Sequence, residues 1–264
     1  MLWLREIGLV QTKYLMVSIK SDREIELMRE AGKILALVHN EIADYIKPGL
    51  STLEIDKYAE KIVKRHNATC SFYHLYDFPG NFCISLNDEV IHGIPSKDVI
   101  LKDGDILKID GGVNYKGYQS DAARTHIIGN TTKEINDLIN RTKQSFFEGI
   151  KYAVPGNHIN DISTGIEMYI DQLGYGIVED YVGHGIGTKV HEDPEIPNFA
   201  TEKKGILIKK NMTFAVEPMI NLGTYEVYTA DDKWTVKTLD GSVSSHYENT
   251  IVITDNGPEI LSLI

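Results

Sequence analysis

Two aspartates flank a short polar turn in the segment Ile109-Asp110-Gly111-Gly112-Val113-Asn114-Tyr115-Lys116-Gly117-Tyr118-Gln119-Ser120-Asp121. Residues 114–117 suit a tight hairpin. A turn centred between Tyr115 and Lys116 sets Asp110 directly across from Asp121, with Cβ atoms about 4.5–5.5 Å apart. Carboxylates that close repel unless a proton or a cation lies between them. In apolar strand company an unpaired charge is costly as well. A metal ion is the natural partner; the alternative is a pair of solvent-facing acids at strand ends.

Three further segments carry groups of the same kind. His184 sits in Gly183-His184-Gly185-Ile186-Gly187, where flanking glycines allow close backbone approach and an imidazole projecting into a site. His191 follows seven residues later in Val190-His191-Glu192-Asp193-Pro194. Phe214-Ala215-Val216-Glu217-Pro218-Met219 ends an apolar strand on an acid, and His246-Tyr247-Glu248-Asn249-Thr250-Ile251 begins one with another. Each acid alone is an ordinary strand-end residue. Together Asp110, Asp121, His184, Glu217 and Glu248 form an oxygen-rich ligand set with one imidazole. Such a set suits a pair of divalent ions such as Mn, Co or Fe better than a structural zinc. Two ions sharing one site lower the pKa of a water between them and clamp a tetrahedral intermediate, which is hydrolytic chemistry.

These residues need a scaffold. Apolar Ile25, Met28, Ala31, Leu35, Val38, Ile42 and Tyr45 recur at helical spacing over 22–46, and Pro48-Gly49 stops that helix. Ser51-x-x-Glu54 is a capping box for a second helix over about 52–66. Strand-like runs lie near 82–86, 106–110 and 121–128. Helices follow over about 132–153 and 160–173, then strand-like runs near 213–217, 234–238 and 248–253. An echo runs through the chain at an offset of 107 residues. Tyr45-Ile46-Lys47-Pro48-Gly49 matches Tyr152-Ala153-Val154-Pro155-Gly156. Ile55 matches Ile162, and Leu101-Lys102-Asp103-Gly104 leading to Asp110 matches Ile208-Lys209-Lys210-Asn211 leading to Glu217. Two similar αβ halves, about 22–130 and 131–264, with a site at their seam are expected.

Composition narrows the classes. With 42% apolar and 25% charged residues, the chain reads as globular rather than fibrous, disordered or polytopic. A net charge of −11 argues against tracking a phosphate backbone. Two cysteines, Cys70 and Cys83, fit a reducing compartment such as the cytoplasm rather than a secreted disulfide framework. The first 17 residues are broken by Arg5, Glu6 and Lys13, unlike a signal peptide, and no run approaches the roughly 18 apolar residues of a membrane span. Residues 1–15 read as an extension ahead of an alternative start at Met16, and 16–264 as a single catalytic domain.

From about Met16 to Ile264 the chain resembles the type I methionine aminopeptidases. The resemblance rests on Asn87-Asp88-Glu89-Val90-Ile91-His92-Gly93-Ile94-Pro95, the two-aspartate hairpin and the His184, His191, Glu217 and Glu248 segments, in order and spacing. It implies the pseudo-twofold α/β "pita-bread" fold. It also implies removal of the initiator methionine from nascent chains with a small second residue. By the same resemblance Asp110, Asp121, His184, Glu217 and Glu248 are ligands of two divalent ions (Co, Mn, Fe or Zn), with Asp121 and Glu248 bridging. Glu217 is then also the general base. His92 lies near the scissile amide and His191 near the carbonyl and its developing oxyanion; taken alone, His92 reads as a loop histidine.

Cys83, Phe72, Leu75, Phe78, Met219 and Trp234 match positions lining the methionine pocket, an apolar and sulfur-tolerant setting. Leu75 stands where the family often has tyrosine, and His246 where glutamine or another polar residue is common. No N-terminal Cys/His zinc extension and no large C-terminal insertion interrupts the match, as in the short bacterial form. A monomer in transient contact with the ribosome is implied. The rivals are an X-Pro aminopeptidase on the same fold and a non-catalytic binding module that has lost its ligands.

Overall fold

In the computed structural model, which describes residues 16–263, the first two helices begin where capping chemistry dictates. The expectation for residues 1–15 lies outside the described residues. Ser21 Oγ accepts from Glu24 N while the Glu24 carboxylate accepts from Ser21 N, opening α1 (Asp22–Tyr45). Ser51 and Glu54 repeat the exchange for α2 (Thr52–Arg65), as their spacing predicts. The apolar face of α1, including Leu35, Val38 and Ile42, packs with Ile55, Ala59 and Ile62 of α2 against Leu107, Ile109 and Val113. Burying each such side chain stabilises the fold by about 1.5–3 kcal/mol.

The second half repeats this plan. Helices α3 (Lys133–Ile150) and α4 (Ile159–Ile170) bury Phe146, Ile150, Ile162 and Ile166 against Phe214, Val216, Ile251 and Ile253. The first helix pair backs a four-stranded antiparallel sheet. In it the long strand Ile106–Tyr115 pairs with Thr69–Cys70, with Cys83–Leu86 and with Tyr118–Ile127. The second pair backs a five-stranded sheet in the order Gly257–Ile260, Asn249–Thr254, Thr213–Val216, Gly183–Gly185, Glu192–Ile196.

The offset of 107 residues returns in the backbone. Gly49 N donates to Leu101 O at 2.8 Å, and Gly156 N donates to Ile208 O at 3.1 Å. Thr52 N donates to Val99 O and Ile159 N to Ile206 O, at 3.0 and 3.1 Å. Leu101 N donates to Leu50 O and Ile208 N to Asn157 O, both at 2.8 Å. Gly49 and Gly156 share left-handed backbone at φ 93° and 99°; Gly104 and Asn211 share it at 93° and 66°. Asn is the side-chain-bearing residue that tolerates this region best, so the match survives the change of residue type. Asp110 and Glu217 stand at equivalent points of the two halves.

A buried acid ties α2 to the approach to the site. Asp56 accepts from the backbone N–H groups of Asn81 and Phe82, each at 2.9 Å, and from Asn81 Nδ2 at 2.8 Å. Asp56→Ala leaves these donors facing a void. It lowers the unfolding free energy by about 2–4 kcal/mol, on the scale of lost hydrogen bonds to a charged group, measurable by urea denaturation.

Candidate metal centre

Asp110 lies mid-strand, paired with Cys83 on one side and Ala123 on the other. Asp121 pairs with Gly112, not with Asp110. The expected direct opposition is therefore corrected: the turn residues are Lys116 and Gly117, at φ 51° and 89°, rather than Tyr115 and Lys116. Two positive φ values in a two-residue loop make the turn whose twist matches the strands. Asn114 Oδ1 accepts from Gly117 N at 3.0 Å and secures it. The shift moves the partner of Asp110 by two residues, so both acids stay on one face as diagonal neighbours. Diagonal carboxylates have room for a cation to share.

His184 occupies the short strand Gly183–Gly185, opposite Ala215. A Cβ on Gly183 would stand 2.4 Å from Ala215 O, and one on Gly185 2.1 Å from Asp193 O. Only glycine on both sides lets the strand lie this close to its neighbours. His184 Nδ1 donates to Gly185 O at 2.9 Å. That bond leaves Nε2 as the lone-pair nitrogen, aimed at Glu217 Oε1 3.6 Å away and Asp121 Oδ2 4.0 Å away.

Glu217 follows the strand Thr213–Val216, and Glu248 precedes its partner Asn249–Thr254. Glu248 is held from its backbone: its N–H donates to Ala123 O at 3.1 Å, and Arg124 Nη1 donates to its carbonyl at 2.5 Å. The same guanidinium reaches Asn249 Oδ1 and Ser262 O through Nη2. One arginine from the first sheet thus pins the strand that carries an acid from the second.

All five predicted ligands converge. Asp121, His184 and Glu248 offer ligand atoms within 4.8 Å of one another. Burial, then the charge of Asp121, pushes the Asp110 carboxyl well above the usual carboxylate range. Burial pushes Asp121 to about 7. Glu217 is raised by burial and by Asp110 and Asp121; Glu248 is raised by burial and by Asp121, Glu217 and Asp110. Asp110 Oδ1, Asp121 Oδ1 and Glu248 Oε1 are buried and find no hydrogen-bond partner among the described residues. Buried carboxyl oxygens without donors, beside an imidazole with its lone pair turned inward, suit a hard-to-borderline divalent cation.

The flanking groups form a wall around this cluster. His191 meets His184 edge to face at 4.5 Å and stacks on Tyr76 at 5.7 Å. His92, itself in left-handed backbone at φ 60°, sets its ring edge against Tyr181 and Trp234. Burial lowers the His92 imidazole to about 4, so it is neutral at pH 7 and keeps one N–H to donate; His191 is solvent-exposed. Five of the six predicted pocket residues, Phe72, Leu75, Phe78, Cys83 and Trp234, pack in one cluster with Val190 and Ile94. Met219 does not join it: it packs with Val90, Ile91, Val178 and Val236, because its strand pairs through His246 into a different sheet.

Sequence reasoning gave no site role to Val190, Tyr76 or His246. His246 is buried, with Nε2 3.7 Å from Glu217 Oε2. Its place two residues ahead of Glu248 was the available signal.

Residues 26–255 match the model of metallopeptidase family M24. The chain belongs to this family. It is 51% identical over 249 residues to the methionine aminopeptidase of Clostridium perfringens, covering 94% of this chain and 100% of that relative. The crystal structure of the methionine aminopeptidase from Thermotoga maritima superposes with a TM-score of 0.92 at 38% identity, over 94% of this chain and 100% of that one. The prolidase from Pyrococcus furiosus shares the fold alone, at a TM-score of 0.76 and 23% identity, with 65% of its chain covered. The mixed α/β architecture is the family's pita-bread fold, as the resemblance implied, and an M24 metallopeptidase uses divalent metal.

For this M24 metallopeptidase, cations and protons compete for the buried carboxyls, whose pKa values are raised. Calorimetric titration of chelator-stripped protein with Mn2+, in two buffers of different ionisation enthalpy, is expected to show net proton release at pH 7. Asp121→Asn weakens the Mn2+ affinity by roughly tenfold or more, given that loss of even an outer partner costs that much.

Proposed function

We propose that this protein is a methionine aminopeptidase that removes the N-terminal methionine from peptides and nascent chains with a small second residue. The observation that carries this reading is the buried cluster of four carboxylates and one imidazole beside an apolar pocket. Asp110, Asp121, His184, Glu217 and Glu248 would hold two divalent ions, drawn from Co, Mn, Fe or Zn. Bound there, the ions supply Lewis-acid polarisation of the scissile carbonyl and a water acidic enough to attack at neutral pH.

The chain's own residues do the rest. Glu217 accepts the proton of the attacking water on its carboxylate and returns it to the leaving amine. His191 donates its N–H toward the carbonyl oxygen as negative charge develops there. His92 stands by the scissile amide. Phe72, Leu75, Phe78, Cys83 and Trp234 take the methionine side chain, whose unbranched thioether fits an apolar and polarisable lining. Residues 16–264 act as one catalytic domain of two related halves. The protein works as a cytoplasmic monomer, meeting ribosomes transiently as chains emerge. No described helix is long and apolar enough to cross a membrane.

The test is release of free methionine from a Met-Ala-Ser peptide by protein stripped with chelator and reloaded anaerobically with Mn, Co, Fe or Zn. Release that depends on added metal supports the reading; no release by folded protein with any of them ends it. An Ala-Pro peptide run in parallel is expected to stay intact. Glu217→Gln lowers kcat by about 10²–10⁴-fold, the usual contribution of a general base, while circular dichroism stays unchanged. His92→Ala lowers kcat with Mn2+ still bound, read by calorimetry; wild-type turnover by either variant removes the role assigned to it.

A further inference from the structure

His191 lies on the stretch 186–191 between two short strands, yet the proposed chemistry needs its ring held still beside His184. Its own neighbours supply two anchors. Val190, just before it, is buried among Phe72, Phe78 and Cys83 in the pocket cluster. Glu192, just after it, is the hub of a second set of bonds. Its Oε1 accepts from Thr188 N at 2.8 Å and Lys189 N at 3.2 Å, closing the loop on itself.

The other oxygen of Glu192 faces a segment from the far end of the chain. Lys20 Nζ lies 2.7 Å from Glu192 Oε2, and Ser18 Oγ donates to the same oxygen at 2.9 Å. Lys20 also donates to Ser18 Oγ. Lys20 is only 6% exposed, which is unusual for a lysine and fits one placed for a partner. Its backbone N–H is fixed on Asn211 O at 2.9 Å, and Met16 N donates to Asp193 Oδ2 at 3.0 Å. The segment Met16–Ser21 therefore lies across 187–193 like a strap.

Gly187 makes the crossing feasible. A Cβ there would stand 2.5 Å from Lys20 Cε and 2.6 Å from Glu192 Oε1. Burial raises the Glu192 carboxyl, but the bonds from Lys20, Lys189 N and Ser18 outweigh it and hold the group below its ordinary value. The pair is ionic and ordered rather than a solvated surface contact.

We propose that Lys20 is a positioning residue, whose buried ion pair with Glu192 straps residues 16–21 over the loop and fixes the His191 imidazole for its part in the reaction. This rests on the role given to His191 above. An unpaired Glu192 would turn toward water and carry the adjoining His191 backbone with it. The metal ligands, held by their own strands, would stay in place.

A double-mutant cycle on the full-length, cation-loaded protein tests this. Lys20→Met, His191→Ala and the double variant are compared for kcat and KM on Met-Ala-Ser, with Mn2+ affinity measured by calorimetry. Lys20→Met is expected to lower kcat by roughly tenfold with KM little changed, as a small misplacement of a reacting group does. Mn2+ affinity stays at the wild-type value, and Lys20→Arg restores most of kcat. The decisive reading is coupling: with His191 already gone, removing Lys20 should cost nothing further.

An equal loss in both backgrounds, or no loss in either, overturns the proposal. If His191→Ala alone leaves kcat intact, the role of His191 has failed and the strap's purpose fails with it. If Lys20→Met does not fold, Glu192→Gln carries the same cycle, because it keeps acceptors for Thr188 and Lys189 while removing the charge.

Discussion

Four carboxylates share one buried volume in this protein, and that repulsion organises what surrounds it. Two like charges 4 Å apart cost about 4 kcal/mol at an effective dielectric of 20. Four of them cannot all stay ionised without compensation. Burial first, and for Asp110, Glu217 and Glu248 the neighbouring carboxylates as well, raises the pKa of each acid of the set. The remedies are protons or cations, and the inward lone pair of His184 favours cations.

A site under that tension needs a rigid frame. No acid of the set lies within a helix: Asp110 and Asp121 are on paired strands, and Glu217 and Glu248 sit where paired strands end and begin. Each half of the molecule has its own apolar core, and the seam between them is bridged by backbone bonds rather than by side-chain packing alone. Glu248 N on Ala123 O and Arg124 on the Glu248 carbonyl are such links. The backbone of Glu248 is therefore fixed from the opposite half, independently of the charge on its own carboxyl.

The apolar pocket and the histidines adjoin one another, with His92 set edge-on to Trp234. Burial lowers the proton affinity of His92 and raises that of the four carboxyls, so one desolvated environment acts on both kinds of group. Val190 belongs to the apolar wall and His191 to the polar one, although they are adjacent in the chain. A short loop tied down by Glu192 thus joins the apolar cluster to His191.

Local rules made much of this legible in the residues. The Ser51-x-x-Glu54 cap, the four helices, the glycines around His184 and the identity of the five clustered side chains follow from patterns a few residues long. The offset of 107 was visible because turn and helix-stop residues recur wherever the backbone must. Three things were decided only by the folded chain. The register of Asp110 and Asp121 depended on which two residues took positive φ, and Lys116-Gly117 is a weak signal beside Asn-Gly. Met219 packs with Val90, Ile91, Val178 and Val236 rather than with the other five apolar residues, on a strand paired with His246. Lys20 meets Glu192 across 172 residues. Contacts of that kind arise when separate elements close on one another, and no short pattern in the chain encodes them.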